Sequence, residues 1–202
     1  MSFCQRCGGP ATLVVPDGDN RERRVCSSCG MVHYENPRVV VGALIEVGEQ
    51  VVLCRRAIEP RRGFWTVPAG FLELGETAPE GAMRETIEEA GVVATIEAPL
   101  IHFDIPAIGQ IYVIYRANAL SLETMGNTDT LAESLEVRMF YWNDLPWDSL
   151  AFDAVRYTLE LRSQDRREGV ERLHYGTIRR GPGAATPWGT NRLEDYRALT
   201  LC

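Results

Sequence analysis

The sequence predicts an α/β layered domain preceded by a small cysteine-rich module. Three observations carry that reading. Runs of β-branched apolar residues begin at Arg38 and recur to Trp142. One stretch among those runs is framed by a capping box and a closing glycine, and one after them carries apolar residues at helical spacing. The first 36 residues show neither pattern, but hold two cysteine pairs among turn residues. Strands wrapped around two helices give an α/β layered architecture.

Each element follows in order. Gly8, Gly9, Pro10, Pro16, Gly18 and Gly30 punctuate the first segment, residues 1–36, which is loop-rich. "RVVVGALIEV" and "QVVLCRR" flank Gly48 and predict a hairpin of buried strands. "GFWTVPAGFLELGET" reads as a strand and loop leading into a helix. Thr77 with Glu80 fits a capping box, Pro79 is tolerated in a first turn, and Gly91 suits the left-handed position that ends the helix. "VVATIEA", "PLIHFDI", "IGQIYVIYRANAL" and "LEVRMFYW" predict further strands, and "SLAFDAVRYTLELRSQD" a second helix. The expected domain spans residues 37–165, and residues 166–202, polar and rich in Gly and Pro, are expected to form an extended or partly ordered C-terminal extension.

Composition narrows the function. A net charge of −7 argues against general affinity for nucleic acid or an anionic membrane. All 21 basic residues are arginine, which excludes Schiff-base chemistry and leaves guanidinium as the permanent cation for gripping phosphates. The N-terminus lacks the apolar run of a signal peptide and no segment is long enough to span a bilayer, so a cytoplasmic protein is expected.

Cys4-x2-Cys7 and Cys26-x2-Cys29 are separated by 18 residues. Two such knuckles can supply the four thiolates of a tetrahedral Zn²⁺ site, and a segment this poor in apolar area needs a metal to fold. Disulfides or a redox pair are the alternatives. Four protein ligands leave no open position, so the zinc would be structural. Cys54, in an apolar strand, reads as a core thiol.

In "AMRETIEEAG", Glu85, Glu88 and Glu89 fall on neighbouring positions of one helix face, where like charges repel. A solvated surface accounts for that at some cost. For the three glutamates alone that reading is the better one. A divalent cation would also neutralise them, since oxygen-rich sites suit Mg²⁺ or Mn²⁺, and the surrounding pattern is what favours it. Gly70, Glu76, Arg84, Glu85, Glu88, Glu89 and Gly91 form one pattern across 22 residues, with a chance match on the order of one in 10⁸ per starting point.

That pattern resembles the Nudix box, G-x5-E-x7-R-E-U-x-E-E-x-G-U, with Thr86 standing at a position that is usually aliphatic. The resemblance implies a Nudix α/β/α sandwich with a mixed sheet. It also implies a hydrolase that splits the diphosphate of a nucleoside diphosphate linked to a second group. Glu85, Glu88 and Glu89 would hold the metals, with the Gly70 carbonyl as a further ligand, and Arg84 and Glu76 would be an orienting pair. A later loop often adds a carboxylate, for which Glu133 and Glu136 are candidates, each also readable as a strand-edge acid.

Residues 3–160 also resemble the branch in which a zinc ribbon precedes the Nudix domain, a branch associated with FAD and ADP-ribose. The related NAD(H) pyrophosphatases carry S-Q-P-W-P-F-P-x-S after the box, where this chain reads "DIPAIGQIYVIYRA". A ribbon joined to an inactive Nudix domain, acting as an interaction module, is the alternative from another class, and the complete box argues against it. The expected partner is a nucleotide rather than nucleic acid or membrane, and a homodimer is implied by family analogy alone. Arg55, Arg56, Arg61 and Arg62 could hold phosphates or simply lie on the surface. Trp65, Phe103 and Tyr112 could stack on a base or fill the core.

Overall fold

The computed structural model describes residues 3–127, 132–181 and 191–201. The chain divides into two compact units, Met1–Pro37 and Arg38–Cys202. In the first, β1 (Ala11–Val14), β2 (Arg23–Cys26) and β3 (Val32–His33) form an antiparallel sheet. Cys4 and Cys26 are the only described residues of this unit that are fully buried. Its centre is therefore a cysteine cluster rather than a hydrocarbon core.

The second unit is built on a mixed sheet. β4 (Arg38–Val47) runs through its middle, parallel to β9 (Gln110–Ser121) and antiparallel to β7 (Ala69–Phe71). The predicted hairpin exists at its tip, where Val47 pairs Gln50 at the start of β5 (Gln50–Arg56). β6 (Trp65–Thr66) and β10 (Ser134–Tyr141) pair with β5, and β8 (Val93–Ile105) pairs with β9.

Alternation along β4 explains the layers, because successive side chains point to opposite faces. Val40 and Leu44 belong to the core that includes Val155 and Leu159 of α2 (Asp153–Glu168). Val41 packs with Ala82 of α1 (Ala78–Glu85), and Ala43 and Ile45 pack with Ala90 just beyond it. The two helices cover opposite faces, which makes an α/β/α sandwich. Among the described residues, no helix is long and apolar enough to cross a membrane.

The structure differs from the sequence reading in three places. "VVATIEA" and "PLIHFDI" are one strand, β8, whose register against β9 shifts on either side of Pro99. Proline lacks the donor that a regular ladder needs, so the pairing bulges around it and the strand continues. The first helix does not run uniformly to Gly91: after Glu85 it widens into a π-helix over Thr86–Ala90. Gly91, at φ 66°, closes that turn as expected.

The third difference is the tail. β11 (Arg172–Arg179) joins the sheet parallel to β8, and β12 (Arg192–Thr200) pairs with β11. Specific polar contacts tie this hairpin to α2. Fully buried Asp165 accepts from His174 Nε2 at 2.8 Å and from Arg172 at 2.9 Å. Tyr157 donates its hydroxyl to the Asn191 carbonyl at 3.0 Å and accepts from Leu193 N at 3.2 Å. Arg162 reaches Glu46 on β4 and Glu171 just before β11, both at 2.7 Å. These contacts are invisible to periodicity, which is why the tail read as loose chain. Residues 182–190 and 202 of that segment lie outside the described residues.

Candidate active site and metal centres

In the first unit the sequence builds two knuckles. Gly8 N donates to Cys4 O at 2.9 Å and Gly30 N to Cys26 O at 3.0 Å, with both glycines at φ near 70°. That geometry brings the ligand atoms of Cys4, Cys7, Cys26 and Cys29 within 4.8 Å of one another. The Cys4 and Cys29 sulfurs are 3.7 Å apart and those of Cys7 and Cys26 3.5 Å. Disulfides would need about 2.05 Å. A tetrahedron with arms of about 2.3 Å has edges of about 3.8 Å, so the thiols fit zinc. Backbone N–H groups of Cys29 and Ser28 lower the Cys26 thiol, while the neighbouring Cys29 and Cys26 thiols raise that of Cys7.

The acidic site lies in the second unit, where α1 meets the π-helix. Glu80 anchors the start of α1 by accepting from Thr77 N at 2.7 Å. Glu85 and Glu89 are buried and Glu88 is exposed, so the three carboxylates are not equivalent. Burial raises the Glu85 carboxyl above its usual range and pushes Glu89 up to about 8, against the hydrogen bond of 2.8 Å that Glu89 accepts from Ala69 N.

Arg84 organises the cluster. It donates to both oxygens of Glu76, at 3.1 and 2.9 Å, to Glu85 at 2.7 Å, to Glu88 at 3.0 Å and to the Phe71 carbonyl at 3.1 Å. Glu76 also accepts from Glu73 N at 2.7 Å, so the Arg84–Glu76 pair binds the loop after β7 to the helix. Gly70 lies flat against Glu85, since a Cβ there would stand 2.6 Å from the carboxylate carbon. Two hydroxyls hold the π-helix. Thr86 donates to Met83 O at 2.7 Å and lies 3.1 Å from Val92 O, and Ser134 donates to Glu89 O at 2.6 Å. The departure from the box at Thr86 thus adds a hydrogen bond at the α-to-π junction.

Glu85, Glu88, Glu89, Gly70 and Arg84 line a cavity of about 860 Å³, together with Glu133, Arg56 and Tyr112. The other candidates lie elsewhere. Arg55 donates to Gly63 O and faces Glu136 at 3.6 Å, outside the cavity wall. Arg61, at φ 67°, is spent on the Ala151 and Leu150 carbonyls and stacks on Phe64. Arg62 is exposed away from the wall. Trp65 packs edge-on to Phe140 with ring centroids 4.8 Å apart, and Phe103 is completely buried, so both are core.

Sequence reasoning missed other lining residues. Arg38, over the Phe71 ring at 4.5 Å, and Gln110 start neighbouring parallel strands, and Phe152, Val155 and Thr158 begin the second helix. No local spacing marks them, because the sheet and α2 bring them together from distant segments.

A helix that packs on a mixed sheet and presents buried carboxylates to an arginine-lined cavity defines a hydrolase class that uses divalent metal on phosphoanhydrides. The chain belongs to the Nudix family: residues 36–160 match the NUDIX domain and residues 2–35 the zinc-ribbon family described as Nudix N-terminal. A crystal structure of a NUDIX hydrolase from Nitrosomonas europaea superposes with a TM-score of 0.83 at 41% identity, covering 88% of this chain and 99% of that one. The ADP-ribose pyrophosphatase of Methanocaldococcus jannaschii is 30% identical over 124 residues, 59% of this chain and 70% of that protein. The NAD-capped RNA hydrolase NudC of Vibrio cholerae is 35% identical over 96 residues, 47% of this chain. The match spans about a third of that protein's length, 34%.

Proposed function

We propose that the chain hydrolyses the diphosphate of a nucleoside diphosphate linked to a second group, with FAD and ADP-ribose the leading substrates and AMP a product. The observation that carries this reading is the pairing of buried Glu85 and Glu89 with Arg56 across one cavity. Bound by Glu85, Glu88 and Glu89, Mg²⁺ or Mn²⁺ would neutralise the diphosphate and polarise the phosphorus under attack. The oxygen-only donor set and its excess negative charge fit such an ion.

The chain's own residues do the rest. Arg84 fixes Glu85 and Glu88 and, through Glu76, the loop that carries Gly70. Arg56 faces the incoming phosphates. Glu133, which lines the cavity, would take the proton of the attacking water, whereas Glu136 is engaged with Arg55. Cys4, Cys7, Cys26 and Cys29 would hold a structural zinc in the other unit.

The test is turnover of ADP-ribose, FAD, NADH, NAD-capped RNA and nucleoside triphosphates, with and without Mg²⁺ or Mn²⁺. FAD should yield AMP and FMN, and ADP-ribose should yield AMP and ribose 5-phosphate. Reaction in ¹⁸O-labelled water should place the label on a phosphate of one product. Free adenine, ADP or inorganic phosphate as first product, or turnover without divalent cation, would overturn the reading. A strong preference for NADH or the capped RNA would redirect the substrate while keeping the chemistry.

A further inference from the structure

β10 reaches the acidic site through an irregularity. Val137 and Met139 pack with Ala90, the last residue of the π-helix, on one face of the sheet. Side chains alternate along a strand, so a regular ladder would send Leu135 to that face and turn Ser134 away. The register against β5 shifts at this point. Ser134 pairs Arg56 and Glu136 pairs Arg55, which leaves Leu135 as an extra residue. Leu135 is accordingly 43% exposed, whereas Ser134 is 5% exposed and bonded on the helix side.

We infer that Ser134 is a positioning residue that sets the cation-binding carboxylate of Glu89 against Glu133. The helix closes at Gly91, which leaves the Glu89 carbonyl without an intrahelical partner. Ser134 supplies that partner, donating at 2.6 Å from 45 positions along the chain. The residue before it is Glu133, which lines the cavity and whose charge bears on both Glu85 and Glu89. The Glu133 carbonyl accepts from Ala57 N at 2.8 Å, beside Arg56. One hydroxyl thus joins the turn that carries Glu89 to the segment that carries Glu133 and pairs with Arg56. The inference rests on the functional reading above and adds how its base and its metal ligand keep their spacing.

The experiment compares the wild type with Ser134→Ala, Ser134→Thr, Glu133→Gln and the Ser134→Ala, Glu133→Gln double variant, each as the full chain supplied with Zn²⁺. Calorimetry with Mn²⁺ and no substrate reads the placement of Glu89. Ser134→Ala should weaken Mn²⁺ binding roughly fivefold, the scale of one lost hydrogen bond. Ser134→Thr keeps the hydroxyl and should bind Mn²⁺ within about twofold of the wild type. Turnover of ADP-ribose and FAD at saturating Mn²⁺ reads the alignment with Glu133. There Ser134→Ala should lower kcat at least roughly tenfold while KM stays within about twofold, because alignment matters in the transition state and not in substrate binding. In the Glu133→Gln background the same change should cost less than about twofold, since the base it aligns is gone.

Unchanged Mn²⁺ affinity and kcat in Ser134→Ala, with only a lower urea midpoint, would reduce the hydroxyl to packing and overturn the assignment. Losses that add in the double variant, or a normal kcat in Glu133→Gln, would overturn the link to Glu133. A protein that turns over no diphosphate would defeat the functional reading, while Mn²⁺ binding would still decide whether Ser134 sets Glu89.

Discussion

Glu89→Gln tests whether the carboxylate cluster is built for a cation. Glu89 is 6% exposed, and burial lifts its carboxyl from 4.5 to about 8. An acid whose pKa is raised on folding contributes no penalty below 4.5. It then costs stability progressively as the pH climbs toward 8. The arithmetic is 8 − 4.5 = 3.5, which at about 1.36 kcal/mol each is roughly 5 kcal/mol above pH 8. At pH 7 the loss is roughly 3 kcal/mol on the same scale. Glutamine keeps the shape and can still accept from Ala69 N, while burying its amide costs about 1 kcal/mol.

Without added divalent cation, then, Glu89→Gln should fall below the wild type by somewhat under about 1 kcal/mol at pH 4.5 and exceed it by roughly 2 kcal/mol at pH 7. Urea unfolding followed by tryptophan fluorescence at pH 4.5, 6, 7 and 8 measures the difference. Adding 10 mM Mg²⁺ should stabilise the wild type, by about 1.4 kcal/mol for a Kd near 1 mM, and the variant much less. Activity should fall to a small fraction of normal. A difference that does not change with pH, or a variant that is less stable at pH 8 and hydrolyses substrate at close to the normal rate, would return the glutamates to the status of a solvated helix face.

Purified protein should contain about one zinc per chain. Stripping that zinc should unfold the first unit, read by loss of its amide protection, and protein that is fully folded without zinc would refute the thiolate site. Asp165→Ala should destabilise the second unit by roughly 1–3 kcal/mol in urea titrations, because it leaves the buried His174 Nε2 without its partner, yet leave KM near normal.

How legible the site was depends on where its residues sit along the chain. Glu76, Arg84, Glu85, Glu88 and Glu89 belong to one loop and one helix, so their spatial relation is a sequence spacing and could be read directly. The cysteine knuckles were legible for the same reason. The α/β/α layering was carried by alternation in β4, where Val40 and Val41 already announce two buried faces. The opposite wall of the cavity was not legible. Arg38 and Gln110 are brought side by side by a parallel pairing across 72 residues, 110 − 38, and Val155 arrives on another helix. Arg55, Arg56, Arg61 and Arg62 looked equivalent in sequence, but strand alternation and the backbone at Arg61 leave Arg56 alone on the cavity wall. The π-helix was unreadable because it depends on hydroxyls, Thr86 and Ser134, that meet their carbonyls only in the folded chain.

This division ties the tail to one wall of the cavity. The carboxylates ride on a helix clamped by Arg84, so the hydrolytic half of the site is largely self-contained. The opposite wall includes the first turns of α2, and the C-terminal hairpin helps to fix those turns. Asn191 donates its side-chain amide to Asp153 at 2.8 Å, and Tyr157 bonds Asn191 and Leu193, one turn from Val155 and Thr158 on the cavity wall. Loosening these contacts therefore moves the wall that meets the substrate while leaving the glutamates where they are. In kinetic terms, changes at Asn191 or Tyr157 belong in KM and in the ranking of substrates, and changes at Arg84 belong in kcat. The segment that looked least structured in the sequence is thus bonded to the helix whose first turns line the cavity.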